Sequence, residues 1–123
     1  MVRQNKDLSR LCEVIDSGKR IVVPSTNSFY RAIPADAAGA HGFNASGIIV
    51  DELHVQPNRE LIDVLETSQG AREQPLEVFF TTAGIGAQSV WAVEHDYAAK
   101  VRDRIIDDQT YYPMIFAASP KDD

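Results

Sequence analysis

Ile48-Ile49-Val50-Asp51-Glu52 joins a continuous apolar run to two adjacent carboxylates and is the strongest chemical signal in the 123 residues. A run of β-branched residues suits a strand covered on both faces, as in a parallel sheet beneath helices. Ending that strand in Asp51 and Glu52 puts both acids at the C-terminal edge of the sheet, where open α/β sheets bind their ligands. Nucleotide hydrolysis needs such a pair. One carboxylate holds the Mg2+ that bridges the β- and γ-phosphates, directly or through its water shell, and the other orients the attacking water. Apolar strands also end in acids simply because they have reached solvent. Thr81-Thr82-Ala83-Gly84 ends the next β-type run, after a helix of crossover length. Neighbouring strand tips would lie about 4.8 Å apart, bringing a threonine hydroxyl within reach of Glu52 or of its water. Threonine is equally an ordinary strand residue, and Ala-Gly an ordinary turn.

Other side chains suggest further chemistry. His54 sits beside Asp51 and Glu52, with His41 upstream; two imidazoles and two carboxylates suit zinc or manganese, or are hydrogen-bonding loop histidines. Gly84 lies in Thr82-Ala83-Gly84-Ile85-Gly86-Ala87, a strand-to-helix loop whose backbone N–H groups can take an anion, although no lysine accompanies it. Arg72 either reaches a phosphate or pairs with Glu73. His95 is expected to be solvated. Lys100, Arg102 and Arg104 interleave with Asp103, Asp107 and Asp108 as a mixed, solvated helix face. Ser89 reads as a helix N-cap.

The elements that must position these residues follow from periodicity and punctuation. Leu8, Leu11, Cys12 and Ile15 form one helical stripe that Gly18 would end. Ile21–Val23 and Ser28–Ala32 read as a hairpin with a four-residue connection, Pro24-Ser25-Thr26-Asn27. Residues 34–46 read as an irregular loop. After the strand at Gly47–Val50, Pro57-Asn58 starts a helix with Asn58 as N-cap, Leu61, Ile62 and Leu65 as its buried stripe, and Gly70 as its stop. Leu76–Thr82 is the next strand. A long helix runs from about Gln88 to Ile106 with Val90, Val93, Tyr97, Val101 and Ile105 on one face, and Met114–Ala117 is a short closing strand. This order implies an α/β fold.

Composition narrows the partners. Twelve Lys+Arg against eighteen Asp+Glu give a net charge of -6, which excludes a general phosphate-coating surface but not a few local contacts. At 44% hydrophobic and 24% charged the chain can bury a core. Cys12 is the single cysteine, which removes an internal disulfide and fits a reducing compartment. No apolar run approaches the roughly 20 residues that span a bilayer, and Met1–Asp7 lacks a signal-peptide stretch. The expectation is one soluble, cytoplasmic domain with no membrane contact.

The ordered set of motifs resembles the large terminase subunit of tailed bacteriophages, the ATPase that drives DNA into the capsid. The resemblance runs through Ala40-His41-Gly42-Phe43-Asn44, Ile48-Ile49-Val50-Asp51-Glu52-Leu53-His54, Glu66 to Leu76 and Thr81-Thr82-Ala83-Gly84. It implies a P-loop-NTPase-like, mainly parallel sheet of the additional-strand class flanked by helices. Asp51 becomes the Walker B carboxylate for Mg2+ and ATP, Glu52 the catalytic glutamate, and Thr81, Thr82 and Gly84 part of the motif that couples hydrolysis to movement. The family's partners are DNA, the small terminase subunit and the portal. Two departures stand against these matches. No G-x-x-x-x-G-K-[ST] occurs, since Gly18-Lys19 is followed by Arg20 and preceded by Glu13 where the first glycine belongs. Nor is there a nuclease; residues 117–123 resemble the start of the linker to one. The chain thus reads as the C-terminal half of a terminase-type ATPase domain, a phage or prophage fragment lacking the P-loop strand and inactive alone. In such a chain Met114–Phe116 is expected to close against Val78–Thr82, or two copies to pair across the open strand edge. The rivals are a non-catalytic α/β interaction domain or remnant, and a small metal-dependent hydrolase built on Asp51, Glu52 and His54.

Overall fold

The computed structural model describes residues 2–34 and 42–118. They belong to two compact units, Met1–Ala40 and His41–Asp123. His41, most of the expected 34–46 loop and the end of the expected linker lie outside the described residues.

In the first unit, Asn5 starts helix α1 (Lys6–Leu11) by accepting the Asp7 and Leu8 N–H groups at 3.0 Å each. The helix stops well before Gly18. Cys12 is already extended, and Glu13–Ile15 forms strand β1. Ile15 satisfies the helical stripe, but both it and Val14 are β-branched, and they pair with Arg20 and Ile21 instead. Strand β2 (Arg20–Val23) then pairs antiparallel with β3 (Ser28–Arg31), Val23 opposite Ser28, so the four-residue connection is as read from sequence. Both hairpin connections use one device, a 3-10 turn closed by a left-handed residue. Lys19 (φ 47) returns its N–H to Asp16 O, and Asn27 (φ 51) returns its own to Pro24 O.

In the second unit, β4 (Gly47–Val50) and β5 (Leu76–Phe79) pair in parallel, in register Gly47↔Leu76 to Val50↔Phe79. Helix α2 (Glu60–Ser68) connects them, and α3 (Val90–Arg102) follows. The core is Ile48, Val50, Leu53, Ile62, Leu65 and Val90. The expectation of two covered faces is corrected: β4 alternates, with Ile48 and Val50 buried but Ile49 57% exposed and Leu76 in the next strand 62% exposed. One face of this sheet is packed and the other open. Helix α2 starts one residue later than expected, Arg59 being the cap position while Asn58 Oδ1 accepts the Glu60 N–H. Leu61 is only half-buried. Helix α3 begins where Ser89 was expected to cap it, the Ser89 hydroxyl accepting the Ala92 N–H, and it ends at Arg102, short of Ile106. Val93 and Ile105 are exposed, so the expected apolar face is covered only in part. Met114–Phe116 forms no strand among the described residues, and β5 has β4 as its one neighbour there, so the expected closure against Val78–Thr82 does not occur.

Candidate functional site

The tips of β4 and β5 emerge side by side. Their ladder runs past the regular strands: Phe80 N–H donates to Val50 O at 2.8 Å, and Leu53 N–H donates to Phe80 O at 3.1 Å. A parallel ladder would bond one residue to partners two apart; here they are three apart. One extra residue is therefore accommodated at Asp51-Glu52, a bulge of the kind that re-aims side chains at active sites. Glu52 absorbs it in the left-handed region, φ 56 and ψ 47, an uncommon conformation for a residue with a β-carbon. The physical gain is plain. Adjacent residues of a regular strand point to opposite faces, whereas the break in alternation leaves both Asp51 and Glu52 exposed while Leu53 drops to 1% exposure in the core.

Each candidate side chain has a definite environment. Asp51 Oδ1 accepts the Glu52 N–H at 3.0 Å. The Thr81 hydroxyl meets His54. It accepts the His54 backbone N–H at 3.1 Å, lies 3.2 Å from Nδ1 of the same residue, and is 2.9 Å from Thr82 O. His54 Nε2 in turn lies 3.4 Å from Glu52 Oε2. Gly84 is packed from both sides: a β-carbon there would stand 2.9 Å from His54 Cβ and 3.0 Å from the Trp91 ring. The sequence places Gly84 in a loop able to take an anion; the close approach of His54 and Trp91 gives it a packing role as well. From the sequence His54 reads only as a metal ligand or a loop residue. The signal that could have found its role is its position three residues after Asp51, one short turn beyond the strand.

The remaining assignments divide. Arg72 does not pair with Glu73; its Nε and a terminal nitrogen donate to Asn44 O at 3.1 and 2.5 Å, clamping the segment that leads into β4. His95 is exposed as expected, and it also stacks on Trp91 with ring centroids 5.1 Å apart. Lys100–Asp96 and Arg102–Asp103 pairs make α3 the mixed charged face read from sequence. Among the described residues no three His, Cys, Asp or Glu side chains are grouped to hold a metal, and no helix is long and apolar enough to cross a membrane.

These tips define an α/β unit whose parallel strands deliver carboxylates and threonines to one edge. A family described as "Terminase large subunit, ATPase domain" matches residues 1–100, and the chain belongs to that family. It is 30% identical over 105 residues to the terminase large subunit of Enterobacteria phage HK97, a match covering 84% of this chain and 21% of that protein. It is also similar to the crystal structure of the HK97 bacteriophage large terminase, with a TM-score of 0.81 at 25% identity over 99% of this chain and 25% of that one. The chain thus spans between a fifth and a quarter of the length of these relatives.

Proposed function

We propose that this chain supplies the Walker B and coupling section of a DNA-packaging ATPase. Asp51 holds Mg2+, Glu52 activates the attacking water, and Thr81 and Thr82, with Gly84 in the following turn, transmit the state of the phosphates. The observation that carries this reading is the parallel register Val50↔Phe79, which sets the acid tip beside the threonine tip. The donor set suits the ion: Mg2+ takes one or two carboxylates together with waters and phosphate oxygens, and Asp51 offers an exposed carboxylate at a strand end. When bound, Mg2+ would neutralise charge developing on the transferred phosphoryl group.

The complete domain is of the additional-strand P-loop class, with its phosphate cradle on a strand outside these residues. The intact protein, encoded by a phage or prophage and working in the bacterial cytoplasm, engages DNA, a small terminase subunit and a portal. Copies of this chain alone associate through the edge of β5 that no other described strand covers.

Because the 123 residues contain no G-x-x-x-x-G-K-[ST], the chain alone lacks the lysine and backbone cradle that hold the phosphates. A malachite-green assay with Mg2+ and ATP is expected to give phosphate release at the buffer background. Release that disappears in Glu52→Gln would overturn the need for a separate cradle. An in-frame cradle motif just upstream of the Met1 codon, beside portal and capsid genes, would support the packaging reading; unrelated neighbours without that motif would sink it.

A further inference from the structure

Thr81, His54 and Glu52 form a chain of contacts across the two strand tips. The Thr81 hydroxyl has one proton and two acceptors within reach, Thr82 O at 2.9 Å and His54 Nδ1 at 3.2 Å. A neutral imidazole carries one N–H and one lone pair. If the hydroxyl proton goes to Thr82 O, Nδ1 must itself carry hydrogen to bond Thr81, and Nε2 then turns a lone pair towards Glu52 Oε2, 3.4 Å away. If the proton goes to Nδ1, the Nε2–H group faces the carboxylate and can hold it. The rotor of Thr81 and the anchoring of Glu52 are therefore linked through the tautomer of one ring.

The geometry points to His54 as a positioning residue that fixes the Glu52 carboxylate according to the state of Thr81; this inference rests on the roles proposed above for those two residues. The ring is well placed for it. The His54 main chain is held by its N–H bond to Thr81, its neighbour Leu53 is buried, and the absence of a side chain at Gly84 lets the His54 β-carbon pack close. In the anchored state Nε2–H donates to Glu52 and Nδ1 accepts from Thr81. Turning the hydroxyl to Thr82 O withdraws the donor from Glu52. A threonine at the second strand tip thereby governs the orientation of the carboxylate at the first, with no direct contact between them.

The test is nitrogen-15 NMR of the imidazole side chains in the full chain, at about pH 8.5, above the ordinary imidazole range, with no nucleotide or metal. The Nε2–H tautomer of His54 is expected to dominate, with Nδ1 hydrogen-bonded. Glu52→Ala should lower the Nε2–H to Nδ1–H ratio about fivefold, the worth of one lost hydrogen bond. Thr81→Val should move the Nδ1 signal to that of a free lone pair, and Thr81→Ser should restore it. A dominant Nδ1–H form in the parent chain, a ratio indifferent to Glu52→Ala, or an Nδ1 signal indifferent to Thr81→Val would each overturn the proposal, whereas a packing role alone would leave the tautomer ratio unmoved. Since no nucleotide enters the measurement, its failure leaves the ATPase reading standing, whereas unrelated gene neighbours without a cradle motif would sink that reading and leave the imidazole link standing.

Discussion

Glu52 carries the conformational cost of the site. A left-handed residue with a β-carbon gives up about 1–2 kcal/mol, and at φ 56 this one does so with its side chain exposed. The surrounding structure enforces the conformation: Leu53 is buried and bonded to Phe80 O, so the chain must turn sharply within one residue of Asp51. Comparing Glu52→Ala with Glu52→Gly isolates that cost, because both remove the carboxylate and its exposed contact with His54 and they differ only in the β-carbon. Urea unfolding is expected to find the glycine variant more stable than the alanine variant by about 1 kcal/mol, the reverse of their order in a helix. Equal midpoints would mean that the left-handed turn is not held in solution. A residue kept in a costly conformation at the proposed water-activating position is the pattern expected where function is maintained against stability.

Arg59, at the start of α2, ties elements together that the sequence leaves unconnected. Its guanidinium bonds Asp63 Oδ1 at 3.1 Å and Glu66 Oε1 at 2.8 Å on α2 and reaches Glu94 on α3. Glu77 of β5 feels the same cluster: partial desolvation and then repulsion from Glu66 push its carboxyl above the ordinary range, while Arg59 pulls it down. A carboxyl raised in the folded state penalises folding above that raised value, and the penalty fades as pH falls through it. Arg59→Met removes the one cation named in that balance, so Glu77 should rise further. At pH 7 the loss is expected to be about 1–2 kcal/mol for this half-exposed hub. The deficit against the parent should narrow as pH is lowered towards the carboxylate range, followed by urea midpoints at each pH. A deficit that widens on acidification would sink the account. This tie also marks the limit of what was legible. The apolar runs at Gly47–Val50 and Leu76–Phe79, the Ile62/Leu65 stripe, the Pro24–Asn27 turn and the Ser89 cap all declare themselves by local composition, because propensity and packing agree there. Strand β1 does not, because Ile15 completes a helical stripe with Leu8, Leu11 and Cys12 until Arg20 pairs with it. The bulge at Asp51-Glu52 and the link from Thr81 to His54 do not either, since both arise from Leu53 being drawn into the core and from a hydrogen bond between residues 27 positions apart. The open face carrying Ile49 escaped because a continuous apolar run looks the same whether one face is covered or two.

Across the whole chain, burial is distributed unevenly. Among the described residues, all six buried apolar side chains belong to the unit His41–Asp123, and none within Met1–Ala40 is buried. The first unit holds its three strands by ladder hydrogen bonds, two tight turns and partly covered side chains such as Phe29, 57% exposed beneath the Arg20 guanidinium at 5.9 Å. Since apolar burial supplies the main favourable term in folding, and regions with few buried contacts open at lower free energy than the core, the two units should open at different costs. Amide hydrogen exchange is expected to protect Ile48, Val50 and Leu65 at least about a hundredfold more than Ile21 and Val22, even though β2 is paired on both sides and β4 on one. Ladder position alone predicts the opposite order, with the central strand β2 exchanging most slowly, so the measurement separates stability set by burial from stability set by hydrogen-bond count. Slower exchange in β2 than in β4 would show that the antiparallel unit draws its stability from packing that the exposed faces of Phe29 and Tyr30 do not supply. The tips that carry Asp51, Glu52 and Thr81 would then no longer stand on the most stable part of the molecule, which is the support their arrangement requires.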